Sequence, residues 1–155
     1  MHSFTDAAGR QWHLDINVDT ILRVKSLIKV DLQEMIVGDL VHRVSLDALL
    51  LTEVVFAICK TSADELKIEQ SIFAKAMRGD VIDAARNALF SEMVEFCPKD
   101  YRRLLEAAIK GHQTRMAEAV EKELAKLLPP KISGSTSSDS PASAASTPSL
   151  TPGVS

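Results

Sequence analysis

The stretch Leu46-Asp47-Ala48-Leu49-Leu50-Leu51-Thr52-Glu53-Val54-Val55-Phe56-Ala57-Ile58-Cys59-Lys60 decides the fold. Its leucines, valines, phenylalanine and isoleucine leave little polar surface around a helix, and such a helix belongs in the middle of a bundle. Asp47, Thr52 and Glu53 interrupt it, and it is shorter than the roughly 20 residues that span a bilayer. It reads as a buried central helix over 46–60, with Ser45 in the N-cap position.

Toward the N-terminus, Phe4-Thr5 and Arg10-Gln11-Trp12-His13-Leu14-Asp15-Ile16 flank Asp6-Ala7-Ala8-Gly9. Gly9 supplies the positive φ of a tight hairpin loop. Trp12, Leu14 and Ile16 alternate with Gln11, His13 and Asp15, the period of a half-buried strand. A lone hairpin is marginal in water, so its apolar face must rest on the helices. Asn17 or Asp19 then caps a helix with Ile21, Val24, Leu27 and Ile28 on one face. Val30-Asp31-Leu32 breaks it, a helical turn follows through Met35-Ile36, and another piece covers 40–44.

Toward the C-terminus, residues 61–69 read as a polar connection with a helical turn. A short amphipathic helix carries Ile72, Phe73, Ala76 and Met77, with Gly79 as its C′ stop. Asp80 caps the next helix, whose expected buried stripe is Val81, Ile82, Ala85, Ala88, Leu89 and Met93. Pro98 opens a last helix over 99–128, with Gly111-His112 as a place for a kink or a stop. Leu104, Leu105, Ala108 and Ile109 form one apolar set, and Met116, Val120, Leu124 and Leu127 a second. The expectation is thus a mostly α fold: a small helical bundle with an N-terminal β-hairpin in a domain 1–128. Residues 129–155 hold every proline except Pro98 and are otherwise nearly all Ser, Thr, Ala and Gly. Such a tail cannot bury enough apolar surface to offset its entropy and reads as disordered.

Composition supports this. The 155 residues are 46% hydrophobic and 25% charged, the globular class, and aromatics at 5% imply an aliphatic core. A net charge of −3 gives no footing for phosphate neutralisation or an anionic membrane surface. The N-terminus lacks the basic and apolar regions of a signal peptide. Cys59 and Cys97, without CxxC spacing or nearby histidines, read as buried reduced thiols of a cytoplasmic protein.

No catalytic constellation emerges. His2, His13, His42 and His112 lie on four different elements with no metal-ligand pair among them, so no metal site and no cofactor is expected. Asp80 and Asp83 suit a helix N-terminus, and Glu92 and Glu95 fall on the expected solvent face. No GxGxxG, Walker, GxSxG or HExxH motif occurs. The segment 71–89 has a helix-turn-helix outline, but Asp80 and Asp83 would repel a phosphate backbone. The second apolar set, Met116, Val120, Leu124 and Leu127, is either core or a projecting stripe for a partner or a second copy.

The order of features resembles the tail assembly chaperones of long-tailed bacteriophages and phage-like gene clusters. The residues that carry it are Phe4-Thr5-Asp6, Gly9-Arg10-Gln11-Trp12, Leu14-Asp15-Ile16-Asn17-Val18 and Val30-Asp31-Leu32. The apolar run 49–60, Phe73-Ala74-Lys75-Ala76-Met77-Arg78-Gly79-Asp80 and the following helix complete it. The resemblance covers roughly 4–109. It implies a non-enzymatic protein of the bacterial host cytoplasm that coats the tape-measure protein and helps recruit tail-tube subunits. Neither nucleic acid, membrane nor small-molecule substrate is implied, and a homo-oligomer is compatible. The rival expectations are a head–tail connector or tail-terminator subunit and, more remotely, a helix-turn-helix DNA-binding protein.

Overall fold

A computed structural model describes residues 1–128; the expected disordered tail, 129–155, lies outside the described residues. The chain divides into two compact units, Met1–His112 and the stretch from Gln113 onward. The first begins with the expected antiparallel hairpin, β1 (His2–Thr5) and β2 (Gln11–Leu14). Phe4 pairs with Trp12 and His2 with Leu14. Gly9 has φ +83° in the turn, and Ala7 N donates to Ala76 O at 3.0 Å. Trp12, Leu14 and Ile16 are buried and Gln11, His13 and Asp15 exposed, as their alternation demands.

Five short helices follow: α1 (Val18–Ile28), α2 (Glu34–Val37), α3 (Leu40–Leu46), α4 (Ala48–Ile58) and α5 (Lys60–Glu65). Then come α6 (Gln70–Lys75), α7 (Asp80–Phe96) and α8 (Lys99–Leu127), the last contributing to both units. Asn17, rather than Asp19, caps α1 by accepting from Thr20 N at 3.0 Å. The central position of α4 holds: it packs against α1, α3, α5, α6 and α7. Leu51, Val54, Val55, Phe56 and Ile58 are all buried. Beside it Trp12 meets Phe73 edge-on, with ring centroids 5.0 Å apart, and Phe73 meets Phe56 at 5.2 Å. Edge-to-face rings add specificity to an otherwise aliphatic core.

Several local expectations are corrected. Ser45 does not cap the central helix; it lies inside α3 and donates to Val41 O at 2.6 Å. Asp47 caps α4 instead, accepting from Leu49 N and Leu50 N at 2.9 and 3.1 Å. An ionised carboxylate suits the positive end of the helix dipole better than a hydroxyl. The break it makes leaves Leu46 and Leu49 exposed at 55% and 77%. Leu27 is exposed too, and Thr20 joins Ile21 and Val24 on the buried face of α1. Gly79, at φ +60°, occupies the N-cap of α7, with Asp80 already in its first turn. Leu104 faces solvent while Leu105 is buried. The last helix neither stops nor loses its helical pattern at Gly111.

Candidate functional site

Two features stand out. The first is the second apolar set on α8. With 100° per residue, Met116, Val120, Leu124 and Leu127 fall within an arc of about 80° on one helix face. Val120, Leu124 and Leu127 are 52%, 48% and 78% exposed, and Met116 is half-buried. Around the stripe lie Glu118, Glu121, Lys122, Glu123 and Lys126, the last pairing with Glu123 at 3.3 Å. Charged residues of both signs bordering a narrow apolar stripe favour reversible helix-on-helix contact. Met116, Val120, Leu124 and Leu127 carry no acid, base or nucleophile, so what this face offers is apolar contact area.

The second is a knot of polar groups between β1 and α7 that the sequence reading missed. Glu92 is not on a solvent face: it is 5% exposed. Its Oε2 accepts from His2 N at 3.0 Å and lies 2.9 Å from His2 Nδ1. Its Oε1 accepts from Ile16 N at 3.4 Å. The Met1 amine stands 3.7 Å from Glu92 and 3.5 Å from Glu95, whose carboxylate also approaches His2 Nδ1 at 3.6 Å. Burial by itself raises the Glu92 carboxyl, but the His2 side chain, the Ile16 amide, the Met1 amine and the His2 amide together hold it below the ordinary glutamate value. A signal was present in the sequence. Glu92 lies four residues after Ala88 and seven after Ala85, on the stripe that α7 buries.

The remaining polar groups act locally. Asp80 and Asp83 sit in the first turn of α7. Arg86 turns onto Asp83 and onto Val44 O, at 2.5 and 3.3 Å. A guanidinium held against its own fold is poorly placed to read a duplex, which weighs against helix-turn-helix recognition over 71–89. His42 and His112, far apart in sequence, meet edge-on with ring centroids 5.3 Å apart. Cys59 and Cys97 are free and buried. Burial pushes the Cys59 thiol up to about 12 against the opposing pull of Arg23, and raises Cys97 as well. A hollow of about 450 Å³ has Glu34, Ile36, Val37, Phe96, Pro98 and Tyr101 in its lining.

No helix among the described residues is long and apolar enough to cross a membrane. Compared with protein-family models, curated proteins and solved structures, the chain matches none.

Proposed function

We propose that this protein is a non-enzymatic tail assembly chaperone of the long-tailed phage type, acting by reversible binding of the tape-measure protein in the host cytoplasm. The observation that carries the reading is the exposed stripe of Val120, Leu124 and Leu127 on a 29-residue helix. A tape-measure chain exposes long apolar helical stripes before a tail tube encloses them. Its holder needs a complementary apolar helix face and many weak contacts rather than one tight one. The order of N-terminal features that resembles this family points the same way, and recruitment of tail-tube subunits follows from that resemblance.

The test is co-expression with the tape-measure-like protein encoded beside this gene, followed by pull-down. Rescue of that protein into the soluble fraction with several copies of this chain supports the reading. Charged replacements Val120→Glu and Leu124→Glu should abolish the rescue while leaving the melting temperature nearly unchanged. A partner that stays insoluble while this chain purifies alone as a closed ring would move it to the connector or tail-terminator class.

A further inference from the structure

We infer that His2, Glu92 and Glu95 form a binding site for a first-row divalent cation, with zinc the best-suited ion, that clamps the N-terminal strand onto α7. The three ligand atoms all lie within 4.8 Å of one another. His2 Nδ1 is 2.9 Å from Glu92 Oε2 and 3.6 Å from Glu95 Oε2. Tetrahedral bonds of about 2.0–2.1 Å place neighbouring ligands about 3.3–3.4 Å apart. The two His2 separations bracket that edge and the third is no longer than 4.8 Å, so rotation of the exposed Glu95 side chain is what brings the three groups to corners of a tetrahedron.

The sequence builds the site from two directions. Glu92 and Glu95 are three residues apart on α7, which puts both carboxylates on one side of the helix. His2 arrives from β1, held by its own N–H on Glu92 Oε2. The Ile16 amide on Glu92 Oε1 fixes the plane of that carboxylate, as outer partners do for metal ligands. The His2 and Glu95 side chains are 35% and 57% exposed, so an ion can enter from solvent and keep water in the fourth position.

The donor set decides the class of ion. One imidazole with two carboxylates suits zinc and its first-row neighbours. Magnesium and calcium favour all-oxygen sites, and no thiolate is at hand for a soft ion. On binding, the cation takes the place of any proton on Nδ1 and displaces the Met1 amine from the two carboxylates. The bridge thereby formed joins elements 90 residues apart in the chain.

Calorimetric titration of the untagged full chain, starting at Met1, with zinc chloride tests this. One zinc per chain, a rise in melting temperature with zinc and none with magnesium are expected. His2→Ala and Glu95→Gln should each weaken zinc binding by about tenfold or more, while His42→Ala leaves it unchanged. Glu95 is exposed enough that its replacement does not threaten folding. The inference is overturned by an absence of saturable binding, or by binding that survives both His2→Ala and Glu95→Gln.

Discussion

The indole nitrogen of Trp12 donates to Asp6 Oδ2 at 2.9 Å, tying the second strand to the hairpin loop. Asp6 Oδ1 accepts from the amides of Ala8 and Arg10, each at 2.9 Å, and Arg10 Nε reaches Oδ2 at 3.0 Å. One carboxylate thus organises the whole turn.

Burial alone raises the Asp6 carboxyl, but the Trp12, Arg10 and Ala8 donors and the Arg10 charge bring it below the usual aspartate value. A lowered folded pKa contributes stability that is present above the unfolded value, about 3.9, and lost as pH falls through the folded one. Urea midpoints should therefore drop as pH falls below about 4. Asp6→Asn, which turns an amide NH₂ toward two donors, should cost about 1–3 kcal/mol at pH 7 and flatten that acid limb. An unchanged acid limb in Asp6→Asn would assign it to another carboxylate.

The cap of α4 separates two residues two positions apart. Asp47→Ala removes the acceptor for Leu49 N and Leu50 N and should cost about 1 kcal/mol. Ser45→Ala removes only a hydroxyl bond to Val41 O inside α3 and should shift stability by less than about 0.5 kcal/mol. Equal losses in thermal denaturation would contradict the boundary between α3 and α4.

Arg23 closes the other end of α4. Its Nε and a terminal nitrogen donate to Ala57 O and Ile58 O at 3.3 and 2.8 Å, carbonyls of the last turn, where the regular intrahelical ladder runs out. Arg23→Ala should destabilise by about 1–3 kcal/mol. Arg23→Lys should recover little of it, since an ammonium lacks the two-pronged geometry. Full recovery with lysine would reduce the interaction to charge alone.

The thiols offer a kinetic check on burial. Cys59 is buried with its thiol pushed up to about 12, and reaction with a disulfide reagent needs the thiolate. At pH 8 without denaturant its labelling should be far slower than in 6 M guanidinium, at about the limit set by opening of the fold. Rapid labelling of the native protein would mean that α4 is less enclosed than the structure has it.

The hairpin, the central helix, the break at Val30-Asp31-Leu32 and the long last helix were legible because each is written in local periodicity. Trp12, Leu14 and Ile16 alternate, and Val24 follows Ile21 at helical spacing; these patterns act over a few residues and need no distant partner. The cap of α4 was misread because Ser45 and Asp47 are both good N-caps by type. Position was decided by α3, which extends through Leu46 and claims Ser45. Leu27, Leu46 and Leu49 were read as core because hydrophobicity states a preference, whereas burial needs a neighbour that topology did not provide.

What the sequence determined by itself is the set of elements and which of their faces are apolar, since backbone preference and hydrophobic period are properties of short segments. Only the tertiary structure decided where the charges went. Glu92 shares its helix side with Ala85 and Ala88, but it is a satisfied buried acceptor only because the His2 amide of β1 and the Ile16 amide just after β2 reach it. A carboxylate is stable away from water only when donors are delivered to it, and here those donors come from residues 90 and 76 positions earlier in the chain.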